Sequence, residues 1–160
     1  HRFILFARSE YFKRMFTSGY REASESSIPI PDVRYEVFLC VLSFLYTGKA
    51  KDIDPAIAVE VLGVANLYSI DPLKRICAEI ITRSLSIPNC APVLEAADMY
   101  GMAHLRAQCL GFMADHFGQV IRTEGFHDLV AKETRPLVLA FLEEVDLRNR
   151  SRAARNADHE

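Results

Sequence analysis

Apolar residues recur at three- and four-residue spacings between Phe3 and Phe16, and basic side chains lie between them. This spacing predicts an amphipathic helix. The next apolar segment runs from Val37 to Tyr46 and is interrupted only by the small residues Cys40 and Ser43. A helix that is apolar on every side is normally buried, and about ten apolar residues are too few to cross a bilayer. We therefore expect a central buried helix over 36–46.

A polar loop and a short extended segment separate these two helices. The run from Arg21 to Ser27 is polar, and Gly19 before it can end the first helix in a left-handed conformation. Ile28-Pro29-Ile30-Pro31 then predicts an extended segment. Because proline cannot donate a ladder hydrogen bond, such a strand would lie at the edge of a sheet.

The rest of the chain carries further helix signals. Asp54-Pro55 and Asp71-Pro72 each place a capping Asp before a Pro at the first helical position, where the missing N–H costs nothing. They predict helices near 55–68 and 72–85. Apolar spacing predicts further helices near 91–100, 103–121, 124–131 and 134–145. Residues 148–160 are polar and lack an apolar period, so we expect a disordered tail there.

Segments 61–81 and 93–113 resemble each other at an offset of about 32 residues, a period typical of stacked helical pairs. This indicates one helix–turn–helix unit used twice, although two amphipathic pairs could also resemble each other by chance. The identical positions are Val61/Val93, Leu62/Leu94, Ala65/Ala97, Tyr68/Tyr100, Leu73/Leu105 and Cys77/Cys109.

Composition narrows the class of protein. The chain has 160 residues, half of them hydrophobic, and a formal net charge of −2 with both signs mixed along its length. It can bury one core, or one core with a small satellite, and we expect a single compact body. The mixed charge argues against nucleic acid as a partner. Without a signal peptide or a membrane-length apolar run, we expect a cytoplasmic or nuclear protein with no membrane partner.

Candidate chemistry is sparse. The four cysteines lie in apolar surroundings without CxxC pairs or nearby His at ligand spacing, so they are interpreted as reduced core thiols. The sequence contains no recognisable nucleophile, phosphate-binding or metalloprotease motif. We expect neither a catalytic site, a cofactor nor a metal. The cysteines are Cys40, Cys77, Cys90 and Cys109.

The order and spacing of many residues in the first half resemble the BTB/POZ pattern. Segment 91–117 is similar to the 3-box, the motif that opens the BACK-type extension of many BTB proteins. The residues that carry the BTB resemblance are His1, Leu5, Ser9, Tyr11, Phe12, Met15-Phe16, Tyr20-Arg21-Glu22, Ile30, Asp32-Val33, Val37-Phe38, Phe44 and Tyr46-Thr47-Gly48-Lys49.

This resemblance implies a fold and its division into domains. The expected fold is α+β and mostly α, with a BTB/POZ helical core over residues 1–87 and a 3-box/BACK-like extension of antiparallel helix pairs over 88–147. The strands and first helix that open a BTB domain are absent before His1, so the expected sheet is small and incomplete. Those missing elements supply much of the family's homodimer interface, so the resemblance implies a homodimer for the parent protein.

The resemblance also implies a function. Proteins of this kind are substrate adaptors for ubiquitin ligases built on cullin 3. The BTB domain binds the cullin scaffold, and a domain outside this chain binds the substrate protein.

Candidate contact residues follow from the resemblance. The family's cullin-binding signature, a hydrophobic residue, any residue and then Glu, matches Tyr20 and Glu22. In the second helix pair we expect Met99, Tyr100 and Leu105 to shape a groove that extends this contact, unless helices near 124–145 cover that face. Tyr68, the counterpart of Tyr100 in the first pair, is assigned to the same contact.

Two other functions compete with the adaptor. A BTB oligomerisation or co-repressor-recruiting platform in transcriptional regulation would keep the fold, but the 3-box-like pair favours the adaptor. A helical-repeat scaffold is the third alternative. About three repeats are needed for stability and two are visible.

Overall fold

The computed structural model describes residues 2–17, 30–50, 53–132 and 135–157. The chain divides into two compact units, residues 1–81 and 82–160, where the sequence predicts a single body. None of the helices in the described ranges is long and apolar enough to span a bilayer. The helices are α1 Arg2–Arg8, α2 Glu10–Thr17, α3 Tyr35–Thr47, α4 Ala58–Leu67, α5 Asp71–Arg83, α6 Cys90–Met99, α7 Ala103–Asp115, α8 Phe117–Val120, α9 Glu124–Ala131 and α10 Arg135–Ala157.

The predicted α+β fold with a small sheet is wrong for the part of the chain that the structure describes, because that part is entirely helical. Residues 28 and 29 of the expected edge strand lie outside it, and Ile30 forms no strand. Pro31 and Asp32 form a turn in which Asp32 has a φ of 61°. An extended segment becomes a strand only by pairing with a second one, and the left-handed backbone of Asp32 is not extended.

Ser9 divides the predicted helix over 3–16 into α1 and α2. Its hydroxyl accepts a hydrogen bond from the Phe12 amide at 3.4 Å, as an N-cap residue does at the start of a helix. The same hydroxyl donates to the Tyr68 carbonyl at 2.7 Å. Ser9 is 3% exposed, so one buried hydroxyl joins the start of α2 to the end of α4.

Helix α3 is amphipathic, whereas the sequence predicts burial on all sides. Val37, Val41, Phe44 and Leu45 lie in the core of the first unit. The opposite face, with Tyr35, Leu39 and Tyr46, is exposed. Gly48 ends the helix at a φ of 69° and donates its amide to the Phe44 carbonyl at 2.8 Å.

The two copies of the sequence repeat have matching structures. Helices α4 and α6 have 10 residues each, and α5 and α7 have 13 each. Five identical positions are buried in both copies, and only the Tyr68/Tyr100 position differs in exposure. The residues that the two copies share are therefore mainly those that form the core.

The turns within the two copies also match. Ile70 donates to the Ala65 carbonyl and Met102 to the Ala97 carbonyl, both at 2.8 Å. A left-handed residue precedes each of these donors. A polar bridge crosses each turn, from Lys74 Nζ to Asn66 Oδ1 at 2.8 Å and from Arg106 Nε to Asp98 Oδ1 at 2.9 Å.

In the second unit α9 packs on α6 and α10 packs on α7. Phe141 of α10 is fully buried, and its ring lies 5.7 Å from Phe117 and 5.5 Å from Phe126. Helix α10 continues through Arg148–Ala157, where the sequence predicts a disordered tail. Ion pairs stabilise this extension, because Arg148 binds Glu144 at 2.8 Å and also binds Asp115 of α7.

Candidate interaction surfaces

Tyr68 is the one predicted contact residue of the first unit that the structure describes. Tyr20 and Glu22 lie outside the described residues. Tyr68 is 4% exposed, and its ring stacks on Phe12 at 4.8 Å and contacts Tyr11 at 5.0 Å. Burial, together with the neighbouring Tyr11, raises the pKa of Tyr68. Its side chain therefore supports the packing of α2 on α4.

The predicted groove residues of the second unit lie at different depths. Met99 is 74% exposed, Tyr100 is half-buried, and Leu105 is 1% exposed. Helix α9 packs on α6, and Lys132 just beyond it binds Glu95 at 3.1 Å. Of these three residues, Met99 and Tyr100 can offer side-chain contact to a partner, whereas Leu105 is buried in the core of the second unit.

Sequence reasoning missed an apolar stripe on the outer face of α3, made by Tyr35, Leu39 and Tyr46. These residues are 73%, 43% and 42% exposed. At 100° per residue they lie within about 40° of one another around the helix. The two tyrosines, Tyr35 and Tyr46, could have indicated that this face is exposed. A tyrosine has an apolar ring, but its hydroxyl needs water or a hydrogen-bond partner.

Charges border this stripe at the start of α3. Arg34 binds Glu60 at 2.9 Å and Glu36 at 3.8 Å. All three side chains are well exposed, so the pairs add little to stability. An apolar centre with a charged border is the usual anatomy of a protein-binding surface.

The cysteine thiols are buried or half-buried. Cys77, Cys90 and Cys109 are buried and Cys40 is half-buried. Burial raises the pKa of all four, to about 12 for Cys77 and Cys109, so the thiols stay protonated at neutral pH. Among the residues that the structure describes, no three His, Cys, Asp or Glu side chains are grouped to hold a metal. The features of the described residues that suit a function are therefore the exposed apolar surfaces, such as the α3 stripe, which a protein partner can contact.

Comparison with known proteins also indicates a protein-interaction module. The profile of the BTB/POZ domain matches residues 1–85, and that of the BACK domain (BTB And C-terminal Kelch) matches residues 90–140. The chain is 32% identical over 132 residues to the ARM repeat protein interacting with ABF2 of Arabidopsis thaliana, covering 82% of this chain and 18% of that protein.

Two mouse proteins are also similar. Over 142 residues the chain is 32% identical to TD and POZ domain-containing protein 4 of Mus musculus, covering 88% of this chain and 38% of the relative. It is 34% identical over 131 residues to TD and POZ domain-containing protein 2, covering 81% and 36%. BTB and BACK domains are protein-interaction modules, and BTB domains also mediate dimerisation. The chain belongs to the BTB/POZ family and carries a BACK domain after its BTB domain.

Proposed function

We propose that this chain is the scaffold-binding part of a substrate adaptor for a cullin 3 ubiquitin ligase, acting in the cytoplasm or nucleus without catalytic activity of its own. Its BTB domain binds the cullin, and a domain outside the chain binds the substrate. The proposal is supported by the BTB domain followed by a BACK domain in one chain.

The α3 stripe is the observation that carries the proposal. Tyr35, Leu39 and Tyr46 expose apolar surface on one face of a helix whose other face is fully buried. Scattered exposed apolar residues need no explanation, but a contiguous stripe marks a binding site. Tyrosine is enriched among the residues that dominate binding energy, since its large ring loses little conformational entropy.

We assign two further contacts with the cullin, one in each domain. Tyr20 and Glu22 supply the anchor and the hydrogen-bonding carboxylate of the family signature. In the BACK domain Met99 and Tyr100 contact the cullin, and the buried Leu105 contributes to the core of the same helix pair. Tyr68 has the corresponding supporting role in the first unit, where it fixes α2 on α4.

Titration of the full chain with the N-terminal region of cullin 3 by calorimetry tests the proposal. We expect Tyr20→Ala with Glu22→Ala to weaken binding by about 2 kcal/mol or more, roughly 30-fold. Tyr35→Ala with Leu39→Ala should weaken it on a similar scale. Phe3→Ala is the control, because Phe3 is 81% exposed on α1 and outside the stripe.

The repeat supplies a control for the second unit. Met99→Ala should weaken cullin binding, whereas Leu67→Ala, at the equivalent position of the first copy and 54% exposed, should not. If the unsubstituted chain fails to bind the cullin, the adaptor function is wrong, and a BTB oligomerisation or co-repressor platform becomes the better explanation. Equal losses for test and control variants would show that the surface is misplaced.

A further inference from the structure

Helix α10 has two faces of different character. Its inner face carries the buried Leu137 and Phe141, followed by the half-buried Arg148. The outer side of the same turns carries three leucines that remain exposed, with fractions of 59%, 48% and 64%. They are Leu139, Leu142 and Leu147.

The outer face changes in charge and size along the helix. Its first half carries Glu143 and Asp146, together with the exposed Leu139 and Leu142, and Leu147 lies at the middle of the helix. Its second half carries Arg150, whose side chain is 80% exposed, and the small residues Ala153 and Ala154. One half is therefore acidic and bulky, and the other is basic and small.

We propose that this outer face binds the same face of a second copy of the chain, with the two α10 helices antiparallel. A two-fold axis between Asp146 and Leu147 sets Glu143 of one copy opposite Arg150 of the other. The same axis sets Leu139 opposite Ala154, so a large side chain meets a small one. Such a surface is complementary to itself, as an interface with two-fold symmetry requires.

Charge decides the direction of the pairing. A parallel arrangement would place Glu143 against Glu143 and Arg150 against Arg150, which is repulsive. The antiparallel arrangement pairs opposite charges at both ends. Arg150 also binds Asp146 of its own helix at 2.8 Å, and this pair orients the guanidinium without removing it from the surface.

The exposed end of α10 gives a second reason. Residues 149–155 are exposed on every side of the helix. Within this end Arg152 binds Asp115 of α7 at 3.2 Å, and local hydrogen bonding adds little more to a helical end of this length. A neighbouring α10 would cover it, because the antiparallel register lays the leucine-bearing half of one helix along the alanine-bearing half of the other.

This interface differs from dimerisation by the BTB domain. The BTB profile covers residues 1–85, whereas α10 begins at Arg135 in the second unit. A single helix pair is a small interface, so we expect a dissociation constant in roughly the micromolar range.

Disulfide trapping of the full chain tests the register. In a Cys40→Ala background, which removes the half-buried native thiol, Asp146→Cys places a thiol beside the proposed axis and should cross-link to its own copy under mild oxidation. Arg155→Cys places a thiol far from its symmetry mate, about 25 Å away at 1.5 Å per residue, and should not form a cross-link. Cross-linking of Arg155→Cys, or none of Asp146→Cys, would overturn the proposal.

Sedimentation equilibrium of the full chain tests the surface independently. Leu139→Glu should weaken self-association by at least about tenfold, because a charge replaces an apolar contact. Leu67→Glu, an exposed leucine of the first unit, should leave it unchanged. Arg150→Glu should also weaken it, and adding Glu143→Arg should restore it. Unchanged association for Leu139→Glu, or a failure of the double charge exchange to restore it, would contradict the α10 pairing.

Discussion

Ser9 shows how one side chain can join two parts of a fold. Its hydroxyl caps α2 and also donates to the Tyr68 carbonyl at 2.7 Å, and it is 3% exposed. Removal of the hydroxyl leaves a buried carbonyl without this donor, and an unsatisfied buried group costs more than the average hydrogen bond.

We therefore expect Ser9→Ala to lower the free energy of unfolding by about 1–3 kcal/mol, measured by denaturant titration. Ser43→Ala is the matched control, because Ser43 is exposed in the middle of α3 and alanine suits a helix interior. A loss for Ser9→Ala no larger than that for Ser43→Ala would show that the hydroxyl does not stabilise the fold.

The equivalent turn residues Ser69 and Gly101 give a second prediction at this scale. Both have positive φ, 55° and 65°. A left-handed residue with a Cβ costs roughly 1–2 kcal/mol, and a Cβ on Gly101 would meet nothing within 4 Å. Gly101→Ala should therefore lower the free energy of unfolding by about 1 kcal/mol through backbone strain alone, and Ser69→Gly should raise it by up to about 1 kcal/mol.

Gly118→Ala controls for the substitution itself. Gly118 lies in α8 with open space around it and has no positive φ. Alanine there should stabilise by up to about 1 kcal/mol. Equal effects of Gly101→Ala and Gly118→Ala in the same titration would refute the strain argument.

At the scale of elements, ion pairs join α10 to α7. Arg148 binds Asp115, and Arg152 binds the other carboxylate oxygen of Asp115 at 3.2 Å. The hydrogen bond from Arg148 is the main cause that holds the pKa of Asp115 below its usual value. The unfolded carboxyl, with its higher pKa, takes up a proton first as the pH falls.

Stability from this pair is therefore complete above about pH 4, near the pKa of an unfolded Asp. It is lost as the pH falls through the lower pKa of the folded state. We expect Asp115→Asn to remove part of the acid dependence of unfolding below about pH 4, measured by denaturant titration at several pH values. Asp128→Asn, on the exposed side of α9, should retain the full dependence. If both variants retain it, Asp115 does not contribute.

The sequence predicted most helices because their signals are local. The two Asp-Pro pairs predicted α4 and α5 to within a few residues, and apolar spacing predicted α6 and the start of α7, which ends at Asp115 instead of near residue 121. The C-terminal half of α10 was missed because Arg148 reaches Asp115, 33 positions earlier, and no periodicity contains that contact. The break at Ser9 was missed for the same reason, since its partner Tyr68 lies 59 positions away.

The candidate surfaces were predicted less well than the helices. Apolar spacing shows which residues are apolar, but it does not show which of two apolar faces stays exposed. On α3 an apolar face is exposed, whereas two expected contact residues, Tyr68 and Leu105, are buried.

At the scale of the whole molecule, the reactivity of the cysteines can show whether each unit is folded. Cys77 belongs to the first unit and Cys109 to the second, and burial raises the pKa of each to about 12. A buried thiol that is not ionised reacts slowly with alkylating reagents. In the native chain we expect the half-buried Cys40 to be labelled faster than the other three thiols, and in the unfolded chain we expect all four to be labelled.

Pulsed alkylation along a denaturant series, read by mass spectrometry of peptides, then measures each unit separately. If the two units unfold independently, Cys77 and Cys109 should become reactive at different denaturant concentrations. Rapid labelling of either one in the native chain would contradict the burial on which this expectation rests.

The 32-residue repeat has a consequence for how such a chain can change its length. Both copies run from an equivalent first residue to an equivalent last residue, with the same helix lengths and the same left-handed turn position. If the gene gained or lost one whole copy, the segment that follows would therefore still be joined to the end of an equivalent helix. Insertions that the fold tolerates should accordingly come in whole helix pairs.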